Sequence, residues 1–164
     1  MSRRVLVAGI GNMFLGDDAF GIEVAARLSS VPLPEGVRVL DAGIRARDLA
    51  YELADGGYET AILVDAVARG GAPGTVFVIE PEVEATDGAA SMASVDGHAM
   101  TPESALSLVH ALGGIRTRIL IVGCEPATFG AEGLGAEGLS EPVLAAIDPA
   151  LSIIEGLIAE LAHA

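Results

Sequence analysis

The feature that most constrains the fold is an apolar, β-branched run that ends in a glycine turn near the start of the chain. Residues 5–8 have the continuous apolar character of a strand that is covered on both faces. Gly9 and Gly11 follow, and Asp17 and Asp18 stand where a helical pattern begins. This order predicts acidic side chains at the carboxyl end of a first strand, the edge at which open α/β sheets bind ligands.

The glycine turn is spaced like part of a dinucleotide fingerprint, but its composition favours a cation. Phe14 occupies the position of the third glycine, and two carboxylates lie close by. Those carboxylates would repel a pyrophosphate and attract a metal ion. We therefore expect part of a metal site and no bound nucleotide. The alternative is a nucleotide-binding regulatory module that uses Gly9, Gly11 and the ribose-binding carboxylate of Asp41.

Strand and helix patterns alternate along the rest of the chain and predict an α/β fold. Further strands are predicted at 37–40, 60–64, 75–79 and 118–122, and helices at 17–30, 45–54, 101–112 and 141–162. The connection before 75–79 is too short for a helix, so we expect that strand to be antiparallel at an edge. Right-handed crossovers between the others give a single-domain, doubly wound, mostly parallel five-stranded sheet over residues 1–164, flanked by helices.

Three details of this outline are open to test. Asp18, Asp41 and Asp65 are expected at one edge of the sheet, because each follows or ends a strand. Pro149 is expected to break or bend the last helix. Residues 81–97 and the tandem near-repeat at 130–139, which reads Gly-Ala-Glu-Gly-Leu twice, are expected to be loops, the second of them mobile.

Composition and charge restrict the compartment and the partners. The formal net charge is −14, and all nine basic residues are arginine, which speaks against nucleic acid and anionic membranes as partners. Charged residues or glycine interrupt every apolar run before it reaches the roughly 20 residues that cross a bilayer, so we expect a cytoplasmic protein. The single cysteine, Cys124, excludes an internal disulfide and a Cys-rich zinc site. Any metal would need carboxylate and imidazole ligands.

Each candidate site residue also has a plain structural interpretation. Asp18 could cap the first helix, although Asp17 beside it would serve equally well. Asp65 ends an apolar strand, where turns also favour Asp. His98 could be a solvent-exposed loop residue. Cys124 follows a buried strand and is better explained as a small buried side chain than as a nucleophile.

Taken together, the motifs resemble the signature of the hydrogenase maturation endopeptidases. These enzymes remove a C-terminal extension from the large subunit of nickel–iron hydrogenases after nickel insertion. The similarity covers nearly the whole chain, through Gly9-Ile10-Gly11-Asn12, Asp17-Asp18-Ala19-Phe20-Gly21, Leu40-Asp41-Ala42-Gly43, Val64-Asp65-Ala66, Ala72-Pro73-Gly74-Thr75, His98, Gly123-Cys124-Glu125-Pro126 and Gly138-Leu139-Ser140.

The resemblance implies a phosphorylase/hydrolase-like fold and an aspartyl-type endopeptidase activity on a hydrogenase large-subunit precursor. It assigns the catalytic and metal-contacting roles to Asp18, Asp65 and His98, with nickel carried by the substrate. Ala19 and Ala42 depart from the family pattern, in which glycine is frequent at both places. A further alternative is a metallohydrolase with its own zinc, although the H-E-x-x-H arrangement is absent.

Overall fold

In the computed structural model, which describes residues 3–81, 116–129 and 135–163, the strands of these segments form one mixed five-stranded sheet. Their order is β2-β1-β3-β5-β4, and only β4 runs antiparallel, paired with β5 at the edge. The predicted fold class is therefore confirmed, including the antiparallel edge strand. The strands are β1 Val5–Ile10, β2 Val37–Gly43, β3 Thr60–Ala66, β4 Val76–Ile79 and β5 Arg118–Cys124.

Helices cover both faces of the sheet because alternate strand residues point to opposite sides. Val5 and Val7 belong to the core that β1 shares with α1 and α3, whereas Leu6 and Ala8 belong to the core shared with α2. The helices are α1 Phe20–Leu28, α2 Ala46–Asp55 and α3 Glu141–His163, with short 3₁₀ turns at Gly16–Ala19 and Gly135–Gly138. Coverage of both faces explains why the central strands β1 and β3 are buried at every position.

The structure corrects two sequence predictions about the last third of the chain, one of them only in part. The helix that contains Pro149 is continuous from Glu141 to His163, so the proline does not break it. The second copy of the near-repeat is not a mobile loop, because Gly135–Gly138 forms a 3₁₀ turn and the following Leu139 is buried in the core. The predicted helix at 101–112, most of the loop at 81–97, and His98 lie outside the described residues.

Helix α3 also corrects the expectation that no apolar segment reaches membrane-spanning length. Residues 141–162 are long and apolar enough by length and composition, with a mean hydropathy of 1.6, because isolated charges lower the average without ending the run. One side of this helix nevertheless packs on the sheet, where Val143, Ile147 and Ile154 are fully buried. A core helix of a folded domain passes the same length test.

Candidate functional site

Two of the predicted site residues meet at Gly11, in the turn that follows β1. Gly11 has a φ of 137°, and a Cβ added there would overlap the backbone oxygen of Asp18. The same Cβ would lie 3.5 Å from Oδ1 of Asp65. Only glycine allows both approaches. The turn therefore brings the backbone of Asp18 and the carboxylate of Asp65 near each other at the carboxyl edge of the sheet, which is the edge predicted for both residues.

Asp65 occupies the next-to-last position of β3, between the neighbouring strands β1 and β5. Its side chain is almost completely buried, at 2% exposure, and its Oδ1 accepts a hydrogen bond of 2.8 Å from the Ala66 amide. A carboxylate buried this deeply must be stabilised by hydrogen bonds, a cation or a proton. Its position is set by the strand and not by a flexible loop, as suits a preorganised site.

Asp18 is half-buried, and its Oδ2 accepts a hydrogen bond of 2.8 Å from the amide of Asn12. Burial raises the pKa of this carboxyl, and the hydrogen bond from Asn12 opposes that rise. The prediction that Asp17 or Asp18 caps the first helix is wrong. The cap positions of the 3₁₀ turn and of α1 are held by Leu15 and Ala19, neither of which offers a capping side chain.

Asp17, which was not among the predicted site residues, is the most enclosed polar residue at this edge. It has no exposed surface, and its carboxylate accepts hydrogen bonds from the amides of Ala127, Thr128 and Ser140 and from the Ser140 hydroxyl, at 2.7 to 3.0 Å. Burial alone would raise the pKa of Asp17, but these hydrogen bonds outweigh it and hold the pKa below its ordinary value. Asp17 is therefore an anionic tie between distant segments.

The backbone amides of the glycine turn already have acceptors within the protein. The Gly11 amide donates to the carbonyl of Gly43 at 3.0 Å, and the Asn12 amide donates to Asp18. The Phe14 amide donates to Oδ1 of Asn12 at 2.9 Å. A phosphate cradle needs such amides to point at the ligand. These three amides are therefore not free to donate to a phosphate, and the absence of a bound nucleotide stays a prediction.

The other acidic residue predicted at this edge has a different environment. Asp41 is exposed and pairs with Gly9 in the parallel ladder between β1 and β2. Its backbone carbonyl accepts a hydrogen bond from the guanidinium of Arg45. Asp41 thus lies at the predicted edge but on the outermost parallel strand, whereas Asp65 lies in the middle of the sheet.

The chain that follows β5 carries a buried thiol and a buried carboxylate. Cys124 has no exposed surface, and burial, reinforced by the charges of Asp17 and Glu125, raises its pKa to about 12. It stays a thiol at neutral pH, which agrees with the interpretation as a core residue and not a nucleophile. Glu125 accepts hydrogen bonds from the amides of Arg69 and Gly70 at 2.9 to 3.1 Å, and so fixes the chain after Asp65.

The described residues supply only part of the predicted metal-contacting set. Within residues 3–81, 116–129 and 135–163, no group of three or more His, Cys, Asp or Glu side chains could hold a metal ion. Asp18 and Asp65 provide two carboxylates, and the predicted imidazole of His98 lies outside these ranges. Two carboxylates and one imidazole are a reasonable donor set for a borderline divalent ion such as nickel. The three-residue site stays a prediction.

Comparison with known proteins gives one family. The family model described as hydrogenase maturation protease matches residues 22–157. The hydrogenase expression/formation protein HupM of Azotobacter chroococcum is 34% identical over 161 residues, which cover 97% of this chain and 73% of that protein.

Solved structures agree with this family. The hydrogenase maturating endopeptidase HybD from E. coli superposes with a TM-score of 0.74 at 27% identity, covering 96% of this chain and 93% of that one. The hydrogenase 2 maturation peptidase of a Thaumarchaeota archaeon has a TM-score of 0.68 at 32% identity, covering 95% of this chain and 98% of that one. The chain therefore belongs to the hydrogenase maturation protease family.

Proposed function

We propose that this protein is an endopeptidase that removes the C-terminal extension of a nickel–iron hydrogenase large-subunit precursor after nickel insertion. It recognises the nickel that the precursor already holds, and it acts in the cytoplasm. The observation that carries the proposal is the approach of the Asp18 backbone and the Asp65 carboxylate to Gly11, on the carboxyl edge of the sheet, in a member of this protease family.

In this proposal, Asp18, Asp65 and His98 contact the nickel of the bound precursor. A cation favours the ionised form of a carboxyl group whose pKa burial has raised, as it has for Asp18. Nickel binding therefore offsets the cost of a half-buried carboxylate, and a nickel-free precursor leaves that cost in place. The enzyme would select the loaded precursor by this difference.

Large apolar side chains around the same edge support a protein substrate. Phe14 is 58% exposed and lies in the turn after β1, together with the exposed Met13 and Leu15. Ile44 follows β2, and Phe129 follows β5, and both are also exposed. Exposed apolar side chains grouped near a site are typical of protein contact surfaces. We call these five residues the apolar rim and assign them to the docking of the precursor.

The first test compares two forms of one precursor. The enzyme should cleave the nickel-loaded precursor and spare the nickel-free form, and prior treatment of the enzyme with a chelator should not change the rate. Asp18→Asn and Asp65→Asn should each lower cleavage at least about a hundredfold, since they remove charge that faces the cation. His98→Ala should reduce it comparably if the imidazole completes the set.

Cys124→Ala is the matched control for this test, because its thiol is buried and protonated at neutral pH. It should keep activity close to that of the unmodified enzyme. Equal cleavage of nickel-free and nickel-loaded precursor would refute recognition through nickel. Loss of activity on chelation of the enzyme alone, restored by zinc, would favour the zinc metallohydrolase instead.

The apolar rim gives a second prediction. Phe14→Ser should raise KM for the precursor about tenfold with little change in kcat, because an exposed aromatic side chain that docks a partner contributes binding and not chemistry. Val31→Ser is the control, since Val31 is 42% exposed but follows α1 at the opposite edge of the sheet. An unchanged KM in Phe14→Ser would exclude the rim from docking.

A further inference from the structure

The carboxylate of Asp17 joins segments that are far apart in the chain. It accepts hydrogen bonds from the Ala127 and Thr128 amides, which follow β5, and from the Ser140 amide and hydroxyl, which precede α3. The Asp17 amide returns a hydrogen bond of 3.1 Å to the Thr128 carbonyl. The 3₁₀ turn that contains Asp17 and Asp18 is thereby fixed to both segments.

The backbone of Asp18 is held from the other side as well. Its carbonyl oxygen packs on Gly11 so closely that a Cβ there would overlap it, and its side chain accepts the Asn12 amide. Asp18 is therefore enclosed between the glycine turn and the segments tied by Asp17. A carboxylate that must meet a cation needs such support, because a misplacement of about 1 Å can cost about a hundredfold in rate.

We infer that Asp17 is a positioning residue for the proposed cleavage reaction: it holds the Asp18 carboxylate in place by tying the 3₁₀ turn to residues 127–128 and Ser140. Its carboxylate has no exposed surface, so it does not itself meet substrate. It acts through Asp18. This inference rests on the proposed function, in which Asp18 contacts the substrate's nickel.

The first readout needs no substrate. The Asn12 amide donates to Oδ2 of Asp18, so its hydrogen exchange reports whether that carboxylate is in place. In Asp17→Asn, the side-chain NH2 group replaces one acceptor oxygen and faces a backbone N–H that needs an acceptor. If this loosens the 3₁₀ turn, the Asn12 amide loses its hydrogen bond to Asp18, and we expect its exchange to accelerate about tenfold or more. If Asp17 only stabilised residues 127–128 and Ser140, those amides would lose protection while Asn12 kept its own.

The second readout is cleavage of the nickel-loaded precursor, with Thr117→Val as the matched control. Thr117 is also buried, and its replacement by valine removes the hydrogen bond that its hydroxyl donates to the Tyr58 carbonyl. It precedes β5 and therefore lies at the opposite edge of the sheet from Asp18. At a temperature where both variants are folded, Asp17→Asn should lose about tenfold to a hundredfold in kcat/KM. Thr117→Val should stay within about twofold.

Ser140→Ala removes only the hydroxyl hydrogen bond to Asp17 and keeps the Asp17 charge and the three amide hydrogen bonds. This milder variant replaces Asp17→Asn in both measurements if Asp17→Asn does not fold. It should accelerate Asn12 exchange and lower cleavage to a smaller extent. Unchanged Asn12 exchange in folded Asp17→Asn, or equal losses in Asp17→Asn and Thr117→Val, would overturn the inference. Failure of the unmodified enzyme to cleave would overturn the proposed function, whereas the exchange result would still show whether Asp17 holds the Asp18 carboxylate in place.

Discussion

Asp17 and Asp18 are adjacent residues of the same type, and their environments give them opposite properties. Asp17 is surrounded by donors that hold its pKa below the ordinary value of 3.8, whereas burial raises the pKa of Asp18 with only the Asn12 amide opposing it. The charge of Asp17 therefore stabilises the fold, whereas the fold disfavours the charge of Asp18. Cost to stability at a candidate site is typical of residues retained for function.

The pH dependence of stability tests this contrast. The folded pKa of Asp17 is lowered, so its contribution is present at neutral pH and is lost as the pH falls below about 3.8 through the folded value. Asp17→Asn should therefore cost about 2 to 4 kcal/mol at pH 7, and the gap to the unmodified protein should narrow on acidification. Urea unfolding at several pH values measures this difference in the free energy of unfolding.

The contribution of Asp18 to stability changes with pH in the opposite direction. Its folded pKa is raised, so the folded state gains relative stability at low pH and loses it as the pH rises through that pKa. Asp18→Asn should accordingly be as stable as the unmodified protein, or more so, at pH 7. Equal destabilisation by Asp17→Asn and Asp18→Asn in the same urea experiment would contradict the division of roles.

At the scale of elements, the close packing of α1 on the sheet places the start of the helix beside the glycine turn. A Cβ at Gly21 would overlap the backbone oxygens of Val64 and Ile10, so α1 touches β1 and β3 through bare backbone. Gly21→Ala should destabilise the protein by about 3 kcal/mol, because the strands cannot yield. Thermal unfolding measures the loss.

Gly156, in α3, provides the matched control. It is exposed, and a Cβ there would meet nothing within 4 Å. Gly156→Ala should stabilise the protein by about 0.5 to 1 kcal/mol through helix propensity alone. A stable Gly21→Ala variant would contradict the packing described for α1.

The elements themselves were largely predictable because their signals are local. The apolar runs found four parallel strands, and the short connection before β4 predicted its antiparallel direction. The ends were less accurate, since β3 and β5 continue two residues past their predicted ends, to Ala66 and Cys124. Pro149 does not break α3, because the packing of α3 on the core overrides the local penalty of a proline.

At the scale of the whole molecule, the sequence indicated which acidic residues lie at the carboxyl edge of the sheet but not what holds them there. Asp18 and Asp65 each follow a strand pattern, so parallel topology alone places them at one edge. Asp17 and Glu125 find their partners across long separations, 123 residues for Ser140 and 56 for Arg69. No local pattern carries such pairings. His98 stays a prediction from the resemblance, because it lies outside the described residues.

The tie between Asp17 and Ser140 has a consequence for the order of assembly during synthesis. Chains emerge from the ribosome amino end first. The candidate site begins at Gly11, yet its support reaches Ser140, and Val143 and Ile147 of α3 share the core of α1. A nascent chain that ends before Ser140 therefore carries the acidic turn without its full set of hydrogen-bond partners, and one that ends before α3 also lacks the helix that shares the core of α1. We therefore expect proteolytic competence only after the last helix has been made.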